Sequence, residues 1–269
     1  MNAAPSRHTP WSAAILCLLP LSLGAAACSG ESTNAMATGG SGGNSSGGSS
    51  SGGTSNENCL SDEGPVDATA LIDDMEDGDS RLVQTGPRTG GWWIASDGTP
   101  TGTITPPADA APSPERVPGG HCGSKFAMRL TGQGFTNWGA LLSAGFRYTT
   151  EPESIDASAF TGVKFWARTG DTNSSVVRVQ FQDSNSQPEG GKCNATAGTP
   201  DECYNGFGSE LVPIGTEWRL YKLPFSRMAQ RDFGYRADAL DTAHIYDIEW
   251  GVQASSIFDL WVDDVWFYE

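Results

Sequence analysis

Apolar and polar residues alternate in short segments over most of the chain after Cys59, and Gly, Pro, Asn and Asp separate these segments. The segment 163–168 alternates Val, Phe and Ala with Lys, Trp and Arg, and the segment 177–182 alternates Val and Phe with Arg and Gln. A period of two predicts half-buried β-strands, and no long stretch has apolar residues at helical spacing. Further strands are predicted at 126–130, 218–223, 245–252 and 258–268. About eight to ten strands over roughly 210 residues predict an all-β fold, a two-sheet antiparallel β-sandwich.

The segment 258–268 changes phase in its middle. Its apolar positions run in one phase from Phe258 to Val262 and in the other from Val265 to Phe267. A β-bulge at Asp263-Asp264 would keep both apolar sets on the inner face, because one extra residue shifts the alternation by one position. We therefore expect a bulge that turns one of these carboxylates toward the rim of the sheet.

The N-terminal part of the chain has a different pattern. Residues 1–27 combine Arg7, an apolar stretch and a run of small residues, which is typical of a secretory signal peptide. The run Ala25-Ala26-Ala27-Cys28 resembles a bacterial lipobox, so Cys28 is the predicted lipidation site; the alternative is ordinary cleavage after Ala27. Residues 28–58 are rich in Gly and Ser and predict a disordered tether, followed by one β domain over 59–269. Since Ser29 follows the cysteine, we expect a lipid-anchored protein of the outer membrane or cell surface.

Charge narrows the range of partners. The chain has 16 basic and 32 acidic residues, a formal net charge of -16. Such a chain repels phosphate backbones and anionic membrane surfaces, which disfavours nucleic acid and limits membrane contact to the lipid anchor. Neutral ligands or cations fit this charge. A soluble extracellular surface explains it almost as well.

The cysteines agree with an oxidising compartment. Of the 6 cysteines, Cys17 lies in the signal peptide and Cys28 is the predicted lipid carrier. The remaining cysteines are Cys59, Cys122, Cys193 and Cys203. Three pairings are possible, but Cys193 and Cys203 flank one loop, which favours disulfides Cys193–Cys203 and Cys59–Cys122. A zinc site is disfavoured because no C-x-x-C spacing occurs.

Four motifs, in order, resemble the jelly-roll carbohydrate-binding modules. These motifs are Leu71–Asp79, Gly91-Trp92-Trp93, Gly162–Ala167 and Phe258–Val265. The chain looks most similar to family eleven and its relatives among the galactose-binding-domain-like sandwiches, over roughly residues 70–269. The resemblance implies a jelly roll that binds polysaccharide, with β-glucan as the expected ligand.

The resemblance also implies a structural calcium ion. An acidic residue of the opening D-x-E segment and an aspartate of the closing D-D-V segment are ligands in related modules, which map most directly onto Glu76 and Asp264. Asp74 and Asp263 are the weaker candidates. Calcium takes six to eight oxygen ligands, so carboxylates brought together by the two ends of the domain suit it. The alternative is that these acidic side chains are only solvated.

Sugar recognition needs aromatic rings that stack on pyranose faces and polar groups that bind hydroxyls. Tryptophans in Gly-flanked segments could supply the rings, although any one of them could equally be core. Polar side chains on the non-core face of the strand at 177–182, and at its end, could supply the hydrogen bonds. The candidate ligand-binding residues are Trp92, Trp93, Trp138, Arg178, Gln180, Gln182 and Asp183.

Signals for catalysis are weak. His121 and His244 are the only histidines after residue 28, and no G-x-S-x-G, H-E-x-x-H or phosphate-binding Gly-rich motif occurs. We expect no enzyme, although two carboxylates alone could serve a glycosidase. The sequence thus predicts a non-catalytic surface lipoprotein that binds a neutral polysaccharide. The alternative is a calcium-stabilised structural or adhesion domain that binds a protein partner.

Overall fold

A computed structural model describes residues 68–108, 110–117, 119–170 and 175–269. Within these ranges the chain is almost entirely β-structure with three short 3₁₀ helices, at His121–Gly123, Pro188–Gly190 and Phe225–Arg227. The strands are β1 Leu71–Asp73, β2 Gly91–Ser96, β3 Thr103–Thr105, β4 Glu115–Arg116, β5 Phe126–Gln133, β6 Ala140–Gly145, β7 Arg147–Tyr148, β8 Pro152–Glu153, β9 Gly162–Thr169, β10 Ser175–Asp183, β11 Phe207–Gly208, β12 Val212–Ile214, β13 Arg219–Pro224, β14 Ile245–Val252 and β15 Phe258–Tyr268.

Two antiparallel sheets contain nearly all of these strands. The seven-stranded sheet has the order β13-β9-β15-β5-β3, with β1 paired to β15 and β4 to β5. The six-stranded sheet has the order β11-β10-β14-β6-β2, with β12 also paired to β10. Strands β7 and β8 form a small separate hairpin. Neighbours in each sheet are distant in sequence, as expected of a jelly roll.

The core lies between the two sheets. Trp250 of β14 meets Phe165 of β9 edge to face, with ring centroids 5.4 Å apart, so the sheets pack face to face. Val177, Val179 and Phe181 of β10 are fully buried, which confirms the alternation predicted for this strand. Their neighbours on β10 therefore lie on the outer face of the six-stranded sheet.

The predicted bulge in β15 is present. Its pairing with β9 shifts register between Asp263 and Trp266, and Asp264 has a φ of 46°. Leu260 and Val262 before the bulge and Val265 after it are all fully buried. The extra residue thus keeps both apolar sets in the core.

The predicted all-β sandwich is confirmed, and the predicted strands are found within three residues of their expected ends. The signal peptide, the lipidation site Cys28, the tether and Cys59 lie outside the described residues. The start of the β domain at Cys59 also remains a prediction, because the described part of the chain begins at Ala68. In the described part of the chain, no helix has the length and apolar character needed to cross a membrane.

Candidate functional site

A row of side chains crosses the outer face of the six-stranded sheet. Trp93 of β2 pairs with Ser143 of β6, Ser143 with Glu249 of β14, Glu249 with Gln180 of β10, and Gln180 with Gly208 of β11. Residues that pair directly across antiparallel strands share a face, so all five lie on the same face of the sheet, with Trp93 and Gln180 partly exposed and the other three buried. We call them the central row. At about 4.8 Å between strands it extends over roughly 19 Å.

Glu249 is the polar centre of this row. Gln180 Nε2 donates to Glu249 Oε2 at 2.5 Å, and Gln182 Nε2 donates to the same oxygen at 3.0 Å. Only 4% of Glu249 is exposed, so the two amides replace the water that the carboxylate loses. The carboxylate and its two amides form a fixed polar group beneath the surface.

Asp247 lies next to Glu249 on the same face of β14 and directly opposite Gln182. Burial raises the pKa of Asp247 well above its usual range, and the nearby Glu249 raises it further. Among the described residues, Asp247 Oδ1 and Gln182 Oε1 are buried and accept no hydrogen bond. Buried acceptors of this kind are suited to hydroxyl donors.

Small residues flank the ring of Trp93. Two positions along the strands from Trp93 and Ser143, Gly91 of β2 pairs with Gly145 of β6. Gly145 in turn pairs with Asp247 of β14. A Cβ atom on Gly145 would lie 3.5 Å from Trp93 Nε1, so the indole extends over this glycine. The half-buried Trp93 therefore presents its ring above a surface that has few side chains next to it.

The two adjacent tryptophans of β2 point in opposite directions. Trp92 is only 2% exposed and stacks on Trp250 in the core, with ring centroids 5.5 Å apart. The prediction that Trp92 contacts ligand is therefore wrong, because successive residues of a strand face opposite sides. Trp93 lies on the outer face, and its contact with ligand stays a prediction. Trp138 lies half-buried in the loop before β6, outside the strand pairs that form the central row.

Arg178 is on the expected face but its guanidinium is engaged within the protein. It donates to Gln180 Oε1 at 3.2 Å and to the backbone oxygens of Ser209 at 2.9 Å and Ala229 at 2.6 Å. It also covers Gly208, where a Cβ atom would lie 2.6 Å from Arg178 Nε. Burial, together with a smaller effect of nearby Arg231, lowers the pKa of Arg178 to about 10. The expectation that Arg178 is a freely exposed ligand contact is corrected: it fastens the β11 edge.

Asp183 and Gln182 are both buried, which also departs from the sequence prediction. Asp183 accepts hydrogen bonds from the backbone and side chains of Asn185 and Ser186 and from the backbone of Asp241. It orders the turn after β10, and it is not a ligand contact. Gln182 contributes to the site through Glu249.

Sequence reasoning missed Asp247 and Glu249. The signal was present, because β14 alternates these acids with Ile248 and Trp250 in the segment 245–252. That segment was predicted as a strand, but its polar face was not connected with that of β10. Their pairing depends on strand order, which alternation alone does not specify.

The predicted calcium ligands lie at the opposite sheet, near the β15 bulge. Glu76 Oε1 accepts hydrogen bonds from the backbone N–H groups of Lys125 at 2.7 Å and Phe126 at 3.1 Å, which lower its pKa against the opposing effect of burial. Asp264 Oδ2 is hydrogen-bonded to His121 Nε2 at 2.5 Å. Asp74 Oδ1 accepts only the backbone N–H of Glu76 among the contacts described. These three side chains do not form one ligand set.

Asp263 fits a cation better than Asp74 does. Its Oδ2 is buried and lacks a hydrogen-bond partner in the described structure. Burial raises the pKa of Asp263 to about 8, and the charges of Asp264 and Glu76 contribute. In the described ranges, however, no group of three or more His, Cys, Asp or Glu side chains is arranged to hold a metal. Calcium at this edge remains a prediction, made for Glu76 and Asp264 most directly, and Asp263 would be a further ligand.

One predicted disulfide is confirmed. Cys193 and Cys203 are bonded, with Cα atoms 5.0 Å apart. Cys122 is also disulfide-bonded, but its predicted partner Cys59 lies outside the described residues. The pairing Cys59–Cys122 is therefore a prediction.

Comparison with known proteins gives a family match and several structural neighbours. Residues 88–269 match the family described as "Carbohydrate binding domain 30". The chain is similar to the family 11 carbohydrate-binding module of the cellulase Lic26A-Cel5E of Clostridium thermocellum, with 13% identity and a TM-score of 0.44 over 74% of this chain and 92% of that one. It is also similar to the family 30 module of the cellulase Cel9D-Cel44B of Clostridium thermocellum, with 13% identity and a TM-score of 0.46 over 71% of this chain and 97% of that one. No curated protein sequence matches.

Proposed function

The chain belongs to the carbohydrate binding domain 30 family, and from this premise we propose that the central row is its polysaccharide-binding surface. The carrying observation is the alignment of Trp93 with Glu249 and Gln180 across paired strands. An aromatic ring at one end offers stacking to a pyranose face, and the polar groups beside it offer hydrogen bonds to hydroxyls. Roughly 19 Å of such surface suits a short run of sugar units in an extended chain.

A neutral polymer suits this surface best. Glu249 is a buried member of the row, Asp247 is buried beside it, and the chain has a net charge of -16. Uronic acids or sulfated sugars would bring negative charge next to a buried carboxylate, which costs free energy. We propose a β-glucan, because an extended β-linked chain presents the flat pyranose faces that a row of this geometry can stack against.

We expect one module to bind the polymer with low affinity, and anchoring of many copies compensates for this low affinity. We infer that Cys28 carries lipid and that the segment 28–58 tethers the domain at the outer membrane or cell surface. Many anchored copies that meet one polymer gain avidity without any new contact. Mass spectrometry of the mature amino terminus tests the anchor: diacylated Cys28 supports it, and an unmodified cysteine contradicts it.

Affinity electrophoresis of the full chain tests the proposed function. The gels would contain barley β-glucan, xyloglucan, xylan or the anionic control polygalacturonate. Retardation by a neutral β-glucan and none by polygalacturonate is the expected result. Retardation by no polysaccharide would contradict the proposal and favour the adhesion alternative with a protein partner. The same samples, assayed for new reducing ends, test the expectation that the protein is not an enzyme.

A further inference from the structure

An exposed phenylalanine stands beyond the β11 end of the central row. Phe233 is 41% exposed and lies in the segment 229–237, which follows the 3₁₀ helix Phe225–Arg227. Single exposed apolar residues are common and by themselves mean little. The surroundings of Phe233 distinguish it, because its loop is fixed by an unusually complete set of hydrogen bonds.

Asn205 and Gln230 hold this loop. Asn205 Nδ2 donates to the backbone oxygens of Arg231 and Phe233, and Asn205 Oδ1 accepts the backbone N–H of Arg231 at 2.8 Å. Gln230 Nε2 donates to the backbone oxygens of Asn205 at 2.7 Å and Tyr235 at 3.1 Å. Asn205 itself is buried. Both amides thus use their polar atoms to position backbone on either side of an exposed ring.

The disulfide loop supports Asn205 in turn. Asn205 follows Cys203 by two residues, and Cys203 is bonded to Cys193. The backbone N–H of Tyr235 donates to the backbone oxygen of Glu202 at 2.9 Å. The loop with Phe233 is therefore also attached directly to the residue before Cys203. A disulfide-braced loop limits the conformations of the segment that carries Phe233.

The same segment continues the central row. Ala229 forms a bridge with Gly208, the last member of the row, and accepts a hydrogen bond from Arg178 Nη2 at 2.6 Å. Arg231 is close enough to Arg178 to affect its pKa. Ala229 thus extends the row by one position at the β11 edge, and Phe233 lies four residues further along the chain.

From these observations we infer that Phe233 is a further sugar-stacking residue, at the opposite end of the row from Trp93. This inference rests on the proposed function and extends it. Trp93 and Phe233 are aromatic contacts for one neutral glycan chain that crosses the strands. A rigid loop presents the ring without an ordering cost on binding, which favours affinity. Phe233 then contacts only chains long enough to cross β10 and β11, so the site discriminates by chain length.

Calorimetric titration with β-glucan oligosaccharides of increasing length tests the inference. Phe233→Ala should bind the shortest oligosaccharides as wild type does, and bind longer ones about 2- to 10-fold more weakly, the effect of losing one aromatic contact. Phe233→Tyr should restore the affinity for long chains. Ile257→Ala is the matched control, because Ile257 is also an exposed apolar residue, at 56%, on a different loop.

The outcomes separate this inference from the proposed function. If Phe233→Ala binds every length as wild type does while Trp93→Ala loses binding, the inference is overturned and the proposed function stands. If wild type binds no oligosaccharide, both are overturned. The double variant Cys193→Ser, Cys203→Ser, shown to be folded by circular dichroism, should reproduce the length-dependent loss of Phe233→Ala. Its wild-type affinity for long chains would contradict the role of the disulfide brace.

Discussion

Trp92 Nε1 donates a hydrogen bond to Asp73 Oδ2 at 2.5 Å, and both side chains are buried. The bond links β1, which belongs to the seven-stranded sheet, with β2, which belongs to the six-stranded sheet. The Asp73 carboxyl also accepts the backbone N–H of Met75, which fixes the turn after β1. One buried carboxyl thus links the two sheets at β2, the strand that contains Trp93.

The burial of Asp73 predicts a pH-dependent stability. Burial raises the pKa of Asp73 from 3.8 to about 7, although the bonds from Trp92 and Met75 oppose the shift. Because folding favours the protonated acid, the free energy of unfolding should fall as pH rises from about 4 to about 7. Asp73→Asn keeps an acceptor for Trp92 and should lose this part of the pH dependence. Urea unfolding of both proteins between pH 4 and 8 measures the difference, and equal slopes would contradict the assignment.

Replacing Arg178 should affect stability before it affects binding. Arg178→Ala removes the side-chain donor to the Ser209 backbone oxygen and leaves the Ala229 oxygen with only the Gly208 backbone N–H, which costs about 1–3 kcal/mol of unfolding free energy. Arg227→Ala, an exposed arginine, is the control and should change little. Thermal melts of both variants decide the point. An unchanged melting temperature for Arg178→Ala would mean that its bonds at the β11 edge contribute little.

The calcium prediction has a direct test at Asp263. We expect chelator to lower the melting temperature of the full chain and millimolar calcium to restore it, since extracellular sites often have dissociation constants of about 10⁻⁴ to 10⁻³ M. Asp263→Asn should melt at the same temperature with chelator and with calcium. If chelator leaves the melting temperature of the wild-type protein unchanged, the calcium prediction is wrong. The buried Asp263 would then be a protonated acid.

Alternation predicted most of the fold, because a period of two specifies which residues of each strand face the core. It placed Val177, Val179 and Phe181 inward, and it located the bulge of β15 from a single change of phase. It could not decide between Trp92 and Trp93, because Gly91 and two adjacent tryptophans carry no alternation of their own. Which ring faces outward depends on the pairing of β2 with β6.

The site was predicted less completely than the fold, for a physical reason. Gln180 was identified because it lies on the polar face of β10, but its partner Glu249 is 69 residues away. Only the order of strands in the sheet brings the two together, and that order depends on packing of the whole sandwich. Arg178 was misjudged for a related reason, since Ser209 and Ala229, whose oxygens engage it, come from segments distant in sequence.

Calorimetric titration of the full chain with a soluble β-glucan, comparing wild type, Trp93→Ala and Trp218→Ala, tests the binding surface most directly. Both tryptophans are half-buried, but Trp218 packs against Trp261 on the other sheet. We expect Trp93→Ala to keep its melting temperature and to lose at least about tenfold in affinity, or about 1.4 kcal/mol, while Trp218→Ala binds as wild type does. Wild-type affinity in Trp93→Ala, or an equal loss in Trp218→Ala, would contradict a binding surface on the six-stranded sheet.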